Sequence, residues 1–124
     1  MNGEDKRRLL SALCHGSIFF SSLLVSVGIP FAIFFATEDS VVRSNAKAAL
    51  NLHINIYGFL FFILALAAIP VFWILPLIFY ALIAIPVLLW VCFMSFIMPI
   101  IGIASVFNNP SKAYRYPCIF HFFK

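Results

Sequence analysis

From Ala48 to Ser111 the chain runs 64 residues without an Asp, Glu, Lys or Arg. In that stretch His53 alone titrates near neutral pH. A charged side chain at the centre of a bilayer costs about 2.5–3.5 kcal/mol on insertion scales. No soluble fold needs so long an uncharged run, so the expected solvent is lipid. The run also restricts chemistry, because most catalysis needs ionisable groups and here they are confined to the ends.

Composition agrees. Of 124 residues, 65% are hydrophobic and 10% charged, with a mean hydropathy of +1.10. A transmembrane helix takes about 20 apolar residues, so three or four crossings fit. The expected class is all-α, an integral membrane bundle of about four membrane helices. The organisation is a polar N-terminal tail (1–8), a transmembrane helical domain (9–107) and an interfacial C-terminal tail (108–124).

The net charge of +4 comes from short basic clusters rather than a basic domain, which fits membrane orientation and not nucleic-acid binding. Cys14, Cys92 and Cys118 are odd in number and lack metal-ligand spacing, so neither a disulfide framework nor a zinc site is expected. The chain holds no GxGxxG, P-loop or HExxH pattern. No catalytic residue, cofactor, metal or small-molecule substrate is expected, and the chain reads as a non-enzyme. The apolar stretch after Lys6-Arg7-Arg8 exceeds the roughly 7–15 residues of a signal peptide and reads as retained.

Residues Leu9–Ala36 are too long for one straight span and too short for two. They form either one kinked helix or a hairpin turning near Ser21-Ser22, with Pro30 a break or kink. Asp39 or Ser40 caps the next helix. A turn at Pro70–Pro76 divides the uncharged run into arms of 22 and 31 residues, and a turn at Pro86 into a poorer 38 and 21. Asn108-Asn109-Pro110-Ser111 is a stop signal. All eight Lys and Arg lie in the N-tail, the 37–47 loop and the C-tail. The positive-inside rule then favours the hairpin, with both termini cytoplasmic or stromal.

Ser44, Ala48, Asn51, Asn55 and Gly58 recur at spacings of four and three and share one helix face. Small residues permit close helix approach and Asn amides bond where water does not compete. The stripe is therefore a packing face, a polar groove or a subunit contact. Cys14, Ser17 and Ser21, followed by Val25 and Gly28, make a second small-residue face, and pairing the two faces would satisfy the amides. His53 projects opposite the Asn stripe, near the interface, as a candidate relay. His15 and His121 carry no expected role. Trp73, Tyr114 and Tyr116 fit aromatic belts.

Leu13-Cys14-His15, the segment Asn45-Ala46-Lys47-Ala48-Ala49-Leu50-Asn51-Leu52-His53, Met98-Pro99-Ile100-Ile101 and Tyr114-Arg115-Tyr116-Pro117 occur in this order. In these the chain resembles a family of small, cyanobacterial-type bacterial membrane proteins of unknown function. That family is similar to the Tic import components of the chloroplast inner envelope, of the twenty-kilodalton type. The resemblance covers roughly 9–122 and implies a four-helix protein with both termini on one side and a part in moving proteins across a membrane. The chain departs from it in being longer and richer in proline between Ile69 and Pro86. The expected location is a bacterial inner or thylakoid membrane or a plastid envelope. The expected function is a protein-translocation or membrane-assembly component. Alternatives are a small structural subunit of a larger membrane complex, or a proton- or solute-conducting unit using His53 with Asn51 and Asn55. Partners are the bilayer and other membrane subunits.

Overall fold

The computed structural model describes residues 2–20, 22–69 and 77–124. Four helices follow in order: α1 (Gly3–Gly16), α2 (Leu23–Ala36), α3 (Ser40–Ala68) and α4 (Leu77–Asn108), with a single 3₁₀ turn at Ser17–Phe19 after α1. Among the described residues there is no strand.

Local sequence explains the ends. The Asn2 side chain accepts from the Asp5 amide at 2.8 Å and caps α1. Asp39 Oδ1 accepts from Val41 N and Val42 N at 2.9 and 3.1 Å and starts α3. Helix α4 runs unbroken through Pro86 and Pro99, and α2 through Pro30. Neighbouring helices make such prolines tolerable in lipid. The continuity of α4 excludes a turn at Pro86. The alternative turn at Pro70–Pro76, and Trp73 within it, lie outside the described residues, as does Ser21.

The stretch Leu9–Ala36 is a hairpin. Arg7 Nε lies 2.7 Å from Asp39 Oδ2, which returns the end of α2 to the beginning of α1. Each arm has 14 residues and so is about 21 Å long, short of a ~30 Å hydrocarbon core. Two full spans are therefore not formed here. Helices long and apolar enough to cross are Ser40–Ala68 and Ala81–Asn108. Their apolar windows are only 39% and 22% buried, so most of this surface faces outward, unlike the core helix of a water-soluble protein. Among the described residues two helices are thus long and apolar enough to span, and the expected four spans are not shown.

Helix α3 is the centre. One side packs Ala46 and Ala49 on Cys14 of α1, and Ser26 of α2 meets Tyr57 Oη at 2.9 Å. The other side packs Ala48, Leu52 and Ile56 on Val91, Met94 and Met98 of α4 and on Tyr116 of the tail. Arg7–Asp39, Tyr114 N to Asn45 Oδ1 (2.9 Å) and Lys47 Nζ to the main-chain oxygen of Lys124 (2.7 Å) gather the charged start of α1, the beginning of α3 and the tail at one end of the bundle. The charged 37–47 segment is a loop only as far as Asp39 and is helical from Ser40.

Candidate functional site

After α4 stops at Asn108 the chain turns at Pro110 and Ser111 and returns along α3 without becoming helical. A tail containing Pro117 cannot continue a helix easily, and its backbone groups need partners wherever water is excluded. The Asn stripe supplies them. Asn55 Oδ1 accepts the Phe120 amide at 2.9 Å while its Nδ2 donates to the Phe120 carbonyl at 2.7 Å. Asn51 does the same for Phe123, at 2.8 Å in both directions. The N–H and C=O of one extended residue point the same way, so a carboxamide serves them both as a neighbouring strand would. Nδ2 of Asn55 also donates to the Asn51 carbonyl at 2.7 Å.

A third amide anchors the other end of the tail. Asn45 Oδ1 accepts the Tyr114 amide at 2.9 Å, which fixes the orientation of this carboxamide, because a backbone N–H can only donate. Its Nδ2 donates to Ser11 Oγ (3.1 Å) and to the Val41 carbonyl (3.0 Å). The same Oδ1 lies 2.9 Å from His15 Nε2, so that nitrogen carries a proton. Nδ1 of the neutral ring then accepts from the Tyr116 hydroxyl at 2.6 Å. His15, Asn45 and Tyr116 are all at most 1% exposed, and every hydrogen-bonding position of the imidazole and the amide is used. Close approach depends on Gly102 of α4: a Cβ there would stand 2.9 Å from Tyr116 Oη and 3.0 Å from His15 Cγ. The network thus joins α1, α3, α4 and the tail.

The stripe is a real meeting face, but its occupant differs from expectation. Cys14 and Ser17 do not satisfy Asn51 and Asn55. Ser17 Oγ donates to the Cys14 carbonyl at 2.8 Å and lies 3.5 Å from His53 Nε2, on the opposite side of α3. The helix hairpin occupies that side, which leaves the Asn side free for the tail. A Cβ at Gly58 or at Gly28 would meet nothing within 4 Å, so neither glycine marks a close approach. Ser44 is exposed and Ala48 is buried in the α3–α4 core. His53 is 1% exposed rather than at a polar boundary, with Nδ1 donating to the Ala49 carbonyl of its own helix at 2.6 Å. Tyr116, expected in an aromatic belt, is instead the buried partner of His15.

Sequence reasoning missed His15, Asn45 and Tyr116. A proline-containing tail behind a helix stop, facing a helix that carries Asn45, Asn51 and Asn55, was the available signal. Among the described residues no group of three or more His, Cys, Asp or Glu could hold a metal ion, and all three cysteines are free.

At Asp39, burial raises the carboxyl. Hydrogen bonds from Arg7 and from the Val42 and Val41 amides, with the Arg7 charge, outweigh it and hold the pKa below the ordinary 3.8.

No curated protein and no solved structure matches the chain. The chain matches a family model over residues 6–123, and that model is not of the Tic import components. The expected kinship with protein import is therefore wrong. The physical reason lies in the motifs that suggested it: Ala49-Leu50-Asn51 and Tyr114-Arg115-Tyr116-Pro117 belong to the clamp on the tail, and report how the bundle is held rather than what it does. Matched over nearly its whole length, the chain belongs to the magnetosome magnetite crystal formation protein family, MamF/MmsF.

Proposed function

We propose that the chain is a small, non-enzymatic subunit of the magnetosome membrane that takes part in magnetite crystal formation. The family match over residues 6–123 carries this reading. Two helices of bilayer length with largely outward apolar faces support the membrane setting. The internal polar groups support a structural rather than a chemical role, since His15, Asn45, Asn51 and Asn55 are engaged in fixing the tail. In this reading the bundle anchors its charged end at one membrane surface and acts through contacts with other subunits there.

The test is removal of the chain from a magnetite-forming host, followed by electron microscopy of the crystals. Crystals reduced in size or regular shape, restored by the wild-type chain and not by the Asn51→Leu/Asn55→Leu double variant, are expected. Crystals of unaltered size and shape after removal would overturn the reading.

A further inference from the structure

A cavity of about 650 Å³ opens at the charged end, between the beginning of α3 and the returning tail. Lys47, Arg115, Lys124 and His121 line it together with Ser44, and among the described residues no acidic side chain does. The four acidic residues are elsewhere, in the first turn of α1 and just before α3, where Arg8 and Arg7 pair with Glu4 and Asp39. The tail brings Arg115, His121 and Lys124 against Lys47, some seventy residues earlier in the chain. Lys47, Arg115 and Lys124 thus bring three positive charges to one cavity, where the main-chain oxygen of Lys124 meets Lys47 Nζ.

The donors remain available. Lys47 Nζ gives one hydrogen bond, to the main-chain oxygen of Lys124, out of the three an ammonium can make. Arg115 is exposed and has no hydrogen-bond or ion-pair partner among the described residues. His121 Nε2 lies 3.1 Å from the Tyr116 carbonyl and donates to it. The volume falls in the range typical of small-ligand sites, ~300–1,000 Å³. Its position, at the charged end of helices long enough to span, is where lipid headgroups lie, and basic pockets between membrane helices suit anionic headgroups.

We propose that this cavity binds a phosphate-bearing anion, supplied either by the headgroup of an anionic phospholipid or by free phosphate. The Arg115 fork meets two oxygens, Lys47 and Lys124 supply charge, and the Ser44 hydroxyl adds a donor. The inference is independent of any role in crystal formation.

The full chain, exchanged against vesicles of equimolar phosphatidylcholine and phosphatidylglycerol, is analysed by native mass spectrometry for retained lipid. In a second arm the delipidated chain in detergent is melted in inorganic phosphate and in chloride of equal ionic strength. Selective retention of phosphatidylglycerol assigns the site to a lipid headgroup. A higher melting temperature in phosphate without such retention assigns it to free phosphate. In the responding arm, Arg115→Gln and Lys124→Gln are each expected to weaken binding about fivefold, as roughly 1 kcal/mol per cation implies. Lys112→Gln, an equal charge change outside the cavity, should leave binding unchanged. Response in neither arm, an unaffected Arg115→Gln, or an equal loss in Lys112→Gln would overturn the proposal.

Discussion

Replacing Asn55 with leucine should release the end of the tail while leaving the helices folded. Leucine keeps the number and branching of side-chain heavy atoms and favours the helix, so α3 stays formed and loses three hydrogen bonds: two from Nδ2, to Asn51 and Phe120 carbonyls, and one from the Phe120 amide to Oδ1. Hydrogen bonds between membrane segments average about 0.6 kcal/mol, which for three gives roughly 2 kcal/mol. If the Phe120 N–H and C=O stay orphaned at about 1–3 kcal/mol each, the cost reaches roughly 6 kcal/mol. Limited chymotrypsin digestion of the chain in lipid nanodiscs, read by mass as the product ending at Phe120, follows the release. The protease needs an extended, unpaired backbone, so with rapid opening its rate tracks the open population. The lower figure predicts acceleration of about thirtyfold, at tenfold per 1.4 kcal/mol. Asn51→Leu should act alike at Phe123. Cleavage at the wild-type rate, with helix content unchanged by circular dichroism, would refute the claim that these amides hold the tail.

Gly102→Ala should lower the thermal midpoint in detergent, because its Cβ would press on Tyr116 and His15, an overpacking worth about 1–3 kcal/mol. Gly28→Ala, facing open space in a helix, should be neutral or stabilising by up to about 1 kcal/mol in the same melt. Tyr116→Phe removes the proton donated to His15 Nδ1 and should cost about 1–3 kcal/mol in denaturant unfolding, with little change in apolar packing. Asp39→Ala should cost about 1 kcal/mol through the lost α3 cap. Since the folded pKa of Asp39 lies below 3.8, its contribution is complete above that value and fades as pH falls through the folded one. Melting curves should thus show a wild-type-minus-Asp39→Ala difference that is constant near neutrality and shrinks only in the acid range below 3.8.

Much of the framework was legible because it rests on local rules. The uncharged run is a property of composition alone, and the Asp39 cap and the stop at Asn108-Asn109-Pro110 each follow from a few adjacent residues. The charge count favoured a hairpin over one kinked helix, and the Arg7–Asp39 pair closes it. The span count was less legible, because hydropathy registers the apolar length of the hairpin and not how far each 14-residue arm reaches. The Asn stripe was legible as a face in need of a partner, but periodicity states which side of a helix is polar and not what lies across it. Phe120 and Phe123 reach Asn55 and Asn51 across 65 and 72 positions, and through backbone groups that every residue possesses. His15 and Tyr116 stand 101 positions apart, and an aromatic-rich tail suits a lipid interface as readily as a core.

The most direct test is amide hydrogen exchange along the tail of the full chain in lipid nanodiscs. A tail held by three carboxamides requires slow exchange at Tyr114, Phe120 and Phe123, whose N–H groups are bonded to Asn45, Asn55 and Asn51. Ala113 and Phe122, whose amides make no such bond, should exchange faster. Exchange at all five positions at the rate of an unstructured peptide would contradict the account and leave the Asn stripe without its partner.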